Sequence, residues 1–124
     1  MTEPGDIRIP LPPWMQAFLQ AAPQTFADDA QAMTTAIALA RENIRQGTGG
    51  PFGALVLESA SGRLLAAGVN LVVASRCSLA HAEMVALSRA QQGLGHFDLA
   101  QAVPGGCTLV SSAEPCAMCM GAVP

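Results

Sequence analysis

The sequence contains no lysine: its six basic residues are all arginines, scattered among 124 residues against nine acidic ones, for a formal net charge of −3. Proteins that grip DNA or RNA draw most of their affinity from neutralised phosphates and carry a basic stripe to do it. None is visible here, so a nucleic-acid partner is not expected. Long apolar runs are missing too, and nothing approaches the roughly 20 residues that cross a bilayer. The opening MTEPGDIRIPLPP is acidic and broken by proline, unlike a secretory signal. A cytoplasmic protein with no membrane partner is expected. Charged residues are few, at 12%, but hydrophobic ones reach 51%, which is the balance of a folded chain rather than a disordered one. The length bounds it to one domain with one real core.

Four cysteines are present: Cys77, Cys107, Cys116 and Cys119. With no secretory signal and an ample apolar core, a disulfide framework is not expected. Cys107, in the run CTLVSS, reads as a small core hydrophobe. Cys77 lies in a polar loop and takes no role. The pair in SSAEPCAMCMGAVP stands three apart behind a proline, and such a pair invites oxidation unless something holds the sulfurs.

Residues 1–24 read as a proline-rich arm. Trp14 and Phe18 are spaced as one face of a short helix after Pro12 and Pro13, suited to docking on the domain or on a partner subunit. Residues 25–124 then form the main domain. TFADDAQAMTTAIALARENIRQGTGG predicts an amphipathic helix with Phe26, Ala30, Met33, Ile37, Ala40 and Ile44 on one face. Thr25 and Asp28 suit its start, and Gly47, Gly49 and Gly50 its end. PFGALVLES and RLLAAGVN, joined by four or five residues, predict a β-hairpin. SLAHAEMVALSRAQQG predicts a second helix capped by Ser78 and stopped at Gly93. A loop leads to a third strand, CTLVSS, and a third helix entered at Pro115. Helix, hairpin, helix, strand, helix is the order of an α/β layered domain, with the third strand expected parallel to the first.

Two segments carry chemistry: His81-Ala82-Glu83, and Pro115-Cys116-Ala117-Met118-Cys119. Each opens a predicted helix after strand and loop, where open α/β sheets place their sites. His81, Cys116 and Cys119 are a good ligand set for zinc, and a helix start favours the thiolate forms. Structural zinc takes four protein ligands, whereas catalytic zinc keeps one position for water. Three ligands with a carboxylate nearby therefore predict one zinc ion per chain with a bound water, and Glu83 beside it as a proton carrier. A lone C-x-x-C also serves redox and structural uses, and a lone histidine is usually structural or solvated. H-x-E followed by P-C-x-x-C, here HAE and PCAMC, is the far more specific pattern of zinc deaminases.

On these residues the chain resembles the cytidine and nucleobase deaminase superfamily, and within it the guanine deaminases. The resemblance runs from about Ala36 to the last residue and includes GGPFGALVLE, AAGVN, SRCSLAHAE and LVSSAEPCAMCMGAV. The LPPW arm and the SRCS approach look most like bacterial guanine deaminases with an extra N-terminal segment. Relatives close to the tRNA adenosine deaminases carry Asp-Pro-Thr before HAE, where this chain has Arg76-Cys77-Ser78-Leu79.

The resemblance implies a three-layer α/β/α fold with a mixed sheet. It implies His81, Cys116 and Cys119 as zinc ligands, Glu83 as proton shuttle, and Asn70 as the residue that hydrogen-bonds the base. The backbone around Ala82 would read the base edge. Phe52 lines up with a pocket aromatic, core packing being nearly as good a reading. Glu114 reads as orienting the third helix, and Met118 and Met120 as core. The implied reaction is hydrolytic deamination of a free purine base, guanine to xanthine and ammonia, in a homodimer whose C-terminal segment crosses to the partner. Because such proteins continue with further strand and helix elements, the chain is expected to be truncated just after the third core helix starts. Two other readings stand beside this one: cytosine or tRNA-adenosine deamination by the same chemistry, and a non-catalytic zinc domain in which Cys77 supplies a fourth ligand.

Overall fold

A computed structural model describes residues 3–123. Pro12 and Pro13 lead into helix α1 (Trp14–Ala21), with Pro13 at its N-cap position. The helix presses Met15 fully into the main core, and Trp14 and Phe18 meet edge to face with ring centroids 5.8 Å apart. The arm thus docks on its own chain.

Helix α2 (Asp29–Arg45) begins where Asp28 accepts a hydrogen bond from the Gln31 N–H at 2.8 Å. Thr25 instead pairs its backbone with Arg63. The buried face is rotated from the expected one: Phe26 and Ala40 are buried and Met33 packs against the core as expected, but Ala30, Ile37 and Ile44 do not. Ala32, Thr35, Ala36, Leu39, Ala40 and Asn43 face inward, whereas Ile37 and Ile44 are 38% and 54% exposed. The reason is distance. Gly53 of strand β1 (Gly53–Glu58) lies so close beneath α2 that a Cβ there would collide with the Ala36 carbonyl. Only the alanine-rich face fits that approach.

Residues 59–63 turn β1 into β2 (Leu64–Val69), which pairs with it antiparallel, with a bulge between Val56 and Leu57. Strand β3 (Cys107–Ser111) pairs with the other edge of β1, Ala54 opposite Ser111 and Glu58 opposite Cys107. The sheet order is β2-β1-β3, and both pairings are antiparallel. This corrects the mixed sheet and the β1–β3 parallel relation expected above. The crossover rule applies to the two strands that a helix connects. Those are β2 and β3, which run the same way on either side of β1 without pairing.

Side chains alternate across the sheet. Leu55, Leu57, Ala67 and Val69 join the α2 core, while Ala54, Val56 and Ala66 join a second core with helix α4 (Ala82–Leu94). The helices thus cover both faces. Short helices α3 (Val72–Ser75) and α5 (Leu99–Ala102) flank α4, and α6 (Ala117–Ala122) follows β3. Helix α4 starts later than expected: His81, not Ser78, holds the N-cap position. The Leu71 N–H and the Ala80 carbonyl close the preceding loop at 2.9 Å and keep Ser78 outside the helix. Gly93 lies within α4, and the left-handed Gly95 ends it. Cys116, not Pro115, takes the N-cap position of α6. Among the described residues no helix is long and apolar enough to cross a membrane.

Candidate metal centre

The carboxyl ends of β2 and β3 lie at the same end of the sheet as the start of β1, since Val69 and Ser111 stand opposite Gly53 and Ala54. The starts of α4 and α6 converge there. His81 Nδ1 lies 3.5 Å from Cys116 Sγ and 3.7 Å from Cys119 Sγ, and the three ligand atoms fall within 4.8 Å of one another. A tetrahedral zinc ion, with its usual bond lengths to sulfur and imidazole nitrogen, sets those atoms about 3.6 Å apart. The three residues fit it. Cys116 is exposed and Cys119 fully buried.

The two thiols differ electrostatically. The backbone N–H of Cys119 lowers the Cys116 thiol below its ordinary value. Burial first, then Cys116 and the charge of Glu83, push Cys119 up to about 12. The Cys119 thiol therefore keeps its proton at neutral pH and donates it to Glu83 Oε2 at 3.6 Å.

Glu83 is only 6% exposed, and Ser111 Oγ donates to its Oε1 at 2.8 Å. Among the described residues the ion pairs are Glu42–Arg45 and Glu58–Arg63, so Glu83 has no cationic side chain beside it. A buried carboxylate without a counter-charge is costly, and a cation at the neighbouring ligand group answers that deficit. Cys77 does not join the group; it packs against the main core.

The remaining residues singled out by sequence gather around the same end of the sheet. The Asn70 N–H donates to the Phe52 carbonyl at 3.2 Å, and Asn70 Oδ1 accepts from the Val72 N–H at 3.4 Å. Phe52 is 40% exposed, so its ring is not a core residue. The Phe52 ring and Asn70 Oδ1 both flank Gly50, where a Cβ would stand 3.5 and 3.6 Å from them. Ala82 is fully buried against β2, and its N–H belongs to the first turn of α4, which has no intrahelical acceptor. Glu114 is exposed. Met118 and Met120, expected in the core, are 39% and 58% exposed, because α6 turns Cys119 and, in part, Ala122 inward.

Two residues escaped the sequence reading. Ser111 looks like an ordinary strand serine, and only the register of β3 brings it to Glu83. Asn43 sits on the face of α2 that the hydrophobic pattern assigned to solvent, yet it is fully buried.

Comparison with known proteins bears on this geometry. The family profile described as the cytidine and deoxycytidylate deaminase zinc-binding region matches residues 27–124. The guanine deaminase of Bacillus subtilis is 41% identical over 88 residues, covering 71% of this chain and 52% of that protein. A solved guanine deaminase from Nitrosomonas europaea superposes with a TM-score of 0.86 at 45% identity, over 98% of this chain and 66% of that one. A structure solved in complex with 2,6-diaminopurine gives 0.84 at 48% identity, over 94% and 61%. The chain thus spans about half the length of the curated relative. The profile begins just ahead of α2 and takes in β1 to β3, the histidine, the buried glutamate and both cysteines of the cluster. The chain belongs to the cytidine and deoxycytidylate deaminase zinc-binding family.

Proposed function

We propose that this chain catalyses the hydrolytic deamination of a free purine base, converting guanine and water to xanthine and ammonia. His81, Cys116 and Cys119 would hold one zinc ion. The observation that carries the reading is Glu83: a buried carboxylate fixed by Ser111, against the sulfur of Cys119, with no cationic side chain among the described residues beside it. When bound, zinc supplies a Lewis acid that brings the pKa of water to about 7.

The chain's own groups do the rest. Ser111 Oγ holds Oε1 of Glu83 and leaves Oε2, on the Cys119 side, to carry the proton. Glu83 takes one proton from water and gives it to a ring nitrogen, then takes the second from the newly added hydroxyl and gives it to the departing amino group; one carboxyl serves as base and acid in turn. Water supplies the new oxygen at the ring carbon, and the amine leaves as ammonia. Asn70 bonds the base edge, the N–H of Ala82 bonds a second edge atom, and the exposed Phe52 ring lies along the base. Such hydrogen-bonding groups discriminate strongly, because a wrong base leaves them unpaired. The structures of similar proteins with purine ligands support the choice of a purine.

The same reading takes residues 25–124 as the deaminase unit, with residues 1–24 as an arm, in a cytoplasmic homodimer. A groove of about 410 Å³, lined by Ile37, Ile44 and Pro51 and edged by Arg41, Arg45 and Ser112, supports a covering partner. The test is ammonia release from guanine, adenine and cytosine, side by side, by the zinc-loaded protein. Release from guanine alone is expected. Release from cytosine or adenine instead would overturn the choice of base, and silence on all three would overturn the reading.

A further inference from the structure

Asn43 is fully buried, and its side-chain amide is used on both sides. Nδ2 donates to the carbonyls of Gly50 and Asn70, each at 2.9 Å. Oδ1 accepts from Thr48 Oγ1 at 2.6 Å, and Thr48 Oγ1 in turn accepts from Trp14 Nε1 at 3.0 Å. The polarity of this chain is forced. An indole N–H can only donate, so the threonine oxygen accepts it and turns its own hydrogen to Asn43, where Oδ1 at 2.6 Å is the nearer acceptor and the backbone carbonyl at 3.3 Å the farther. The Asn43 oxygen therefore faces Thr48, and its NH₂ faces two carbonyls that can only accept.

One amide thus clamps the loop before β1 to the residue that follows β2. Gly49 shows how tightly they are pressed: a Cβ there would collide with the Asn70 carbonyl and stand 2.7 Å from Asn43 Nδ2. The two clamped segments carry Phe52 and Asn70. We infer that Asn43 is the positioning residue that fixes the spacing of Phe52 and Asn70 for the base, and that Trp14, through Thr48, locks its amide in the one orientation that can do so. This rests on the proposed role of Asn70 in binding the base. It gives the arm a function in recognition rather than in packing alone.

A double-mutant cycle on the full protein tests it, with guanine as substrate and zinc content measured throughout. Thr48→Val removes the hydroxyl with little change in volume. It is expected to raise KM about fivefold with kcat within about twofold, and to have no further effect in an Asn70→Ala background. Asn43→Ala is expected to act in the same direction and more strongly, and Trp14→Phe more weakly. Equal losses with and without Asn70, or a loss in kcat at constant KM, would overturn the inference and leave Asn43 a structural residue. Should Asn43→Ala fail to fold, the Thr48→Val arm decides alone. If Asn70→Ala by itself leaves guanine turnover intact, the base-binding role fails as a separate result and this inference falls with it.

Discussion

At the scale of single residues, Glu83 has its two oxygens divided between Ser111 and the Cys119 thiol. A proton carrier and a metal support make different demands on that carboxyl, and Glu83→Gln separates them. It is expected to cut ammonia release by about 10²- to 10⁴-fold, the usual worth of general acid–base catalysis. Zinc content by elemental analysis is expected to stay at one per chain, and zinc loss would reassign Glu83 to the metal. Ser111→Ala leaves a buried carboxylate oxygen without its donor, and urea unfolding is expected to show a loss of about 1–3 kcal/mol. The cluster of His81, Cys116 and Cys119, with Glu83 beside it, was legible in the sequence because each motif is short enough to be read on one turn of helix. Ser111 was not, since its partner lies across the sheet and depends on a register that no local pattern records. Phe52 was ambiguous because residue type does not reveal exposure.

At the scale of elements, α2 shows why hydrophobic size can choose the wrong face. Its isoleucines recur at helical spacing, but Gly53 draws the helix too close to the sheet for them. The small residues go inside and the large ones outside. Chemical denaturation of two variants checks this phase: Leu39→Ala is expected to cost about 2–5 kcal/mol, and Ile44→Ala to stay within about 0.5 kcal/mol. Were the two costs alike, the phase would be wrong. Gly53→Ala is expected to destabilise by about 1–3 kcal/mol, since its Cβ would meet helix backbone rather than a side chain that can move. The existence and order of the longer helices and of the strands followed from periodicity and turn chemistry, whereas α3 and α5, one turn each, lie in stretches that read as loop. The direction of β3 did not, because the crossover joins it to β2 and passes over β1.

At the scale of the whole molecule, metal binding is linked to proton release. The Cys119 thiol, pushed up to about 12, holds its proton at neutral pH and must lose it to become a ligand. Zinc affinity is therefore expected to rise steadily from pH 6 to pH 8, measured by competition with a chelator of known pH dependence; a flat profile would contradict this protonation state. The three residues of the cluster also straddle the fold in time. The β1–β2 hairpin closes locally, whereas β3 must return across α4 to reach the far edge of β1, a pairing that loop-closure entropy delays. His81 precedes β3 in the chain, and both cysteines follow it. A strand docked one residue out of step would turn Ser111 to the other face and carry the cysteines off target. A refolding chain with only its hairpin formed has His81 without Cys116 and Cys119 beside it, so on the proposed ligand set the moment at which zinc is captured would mark the moment at which the last strand finds its place.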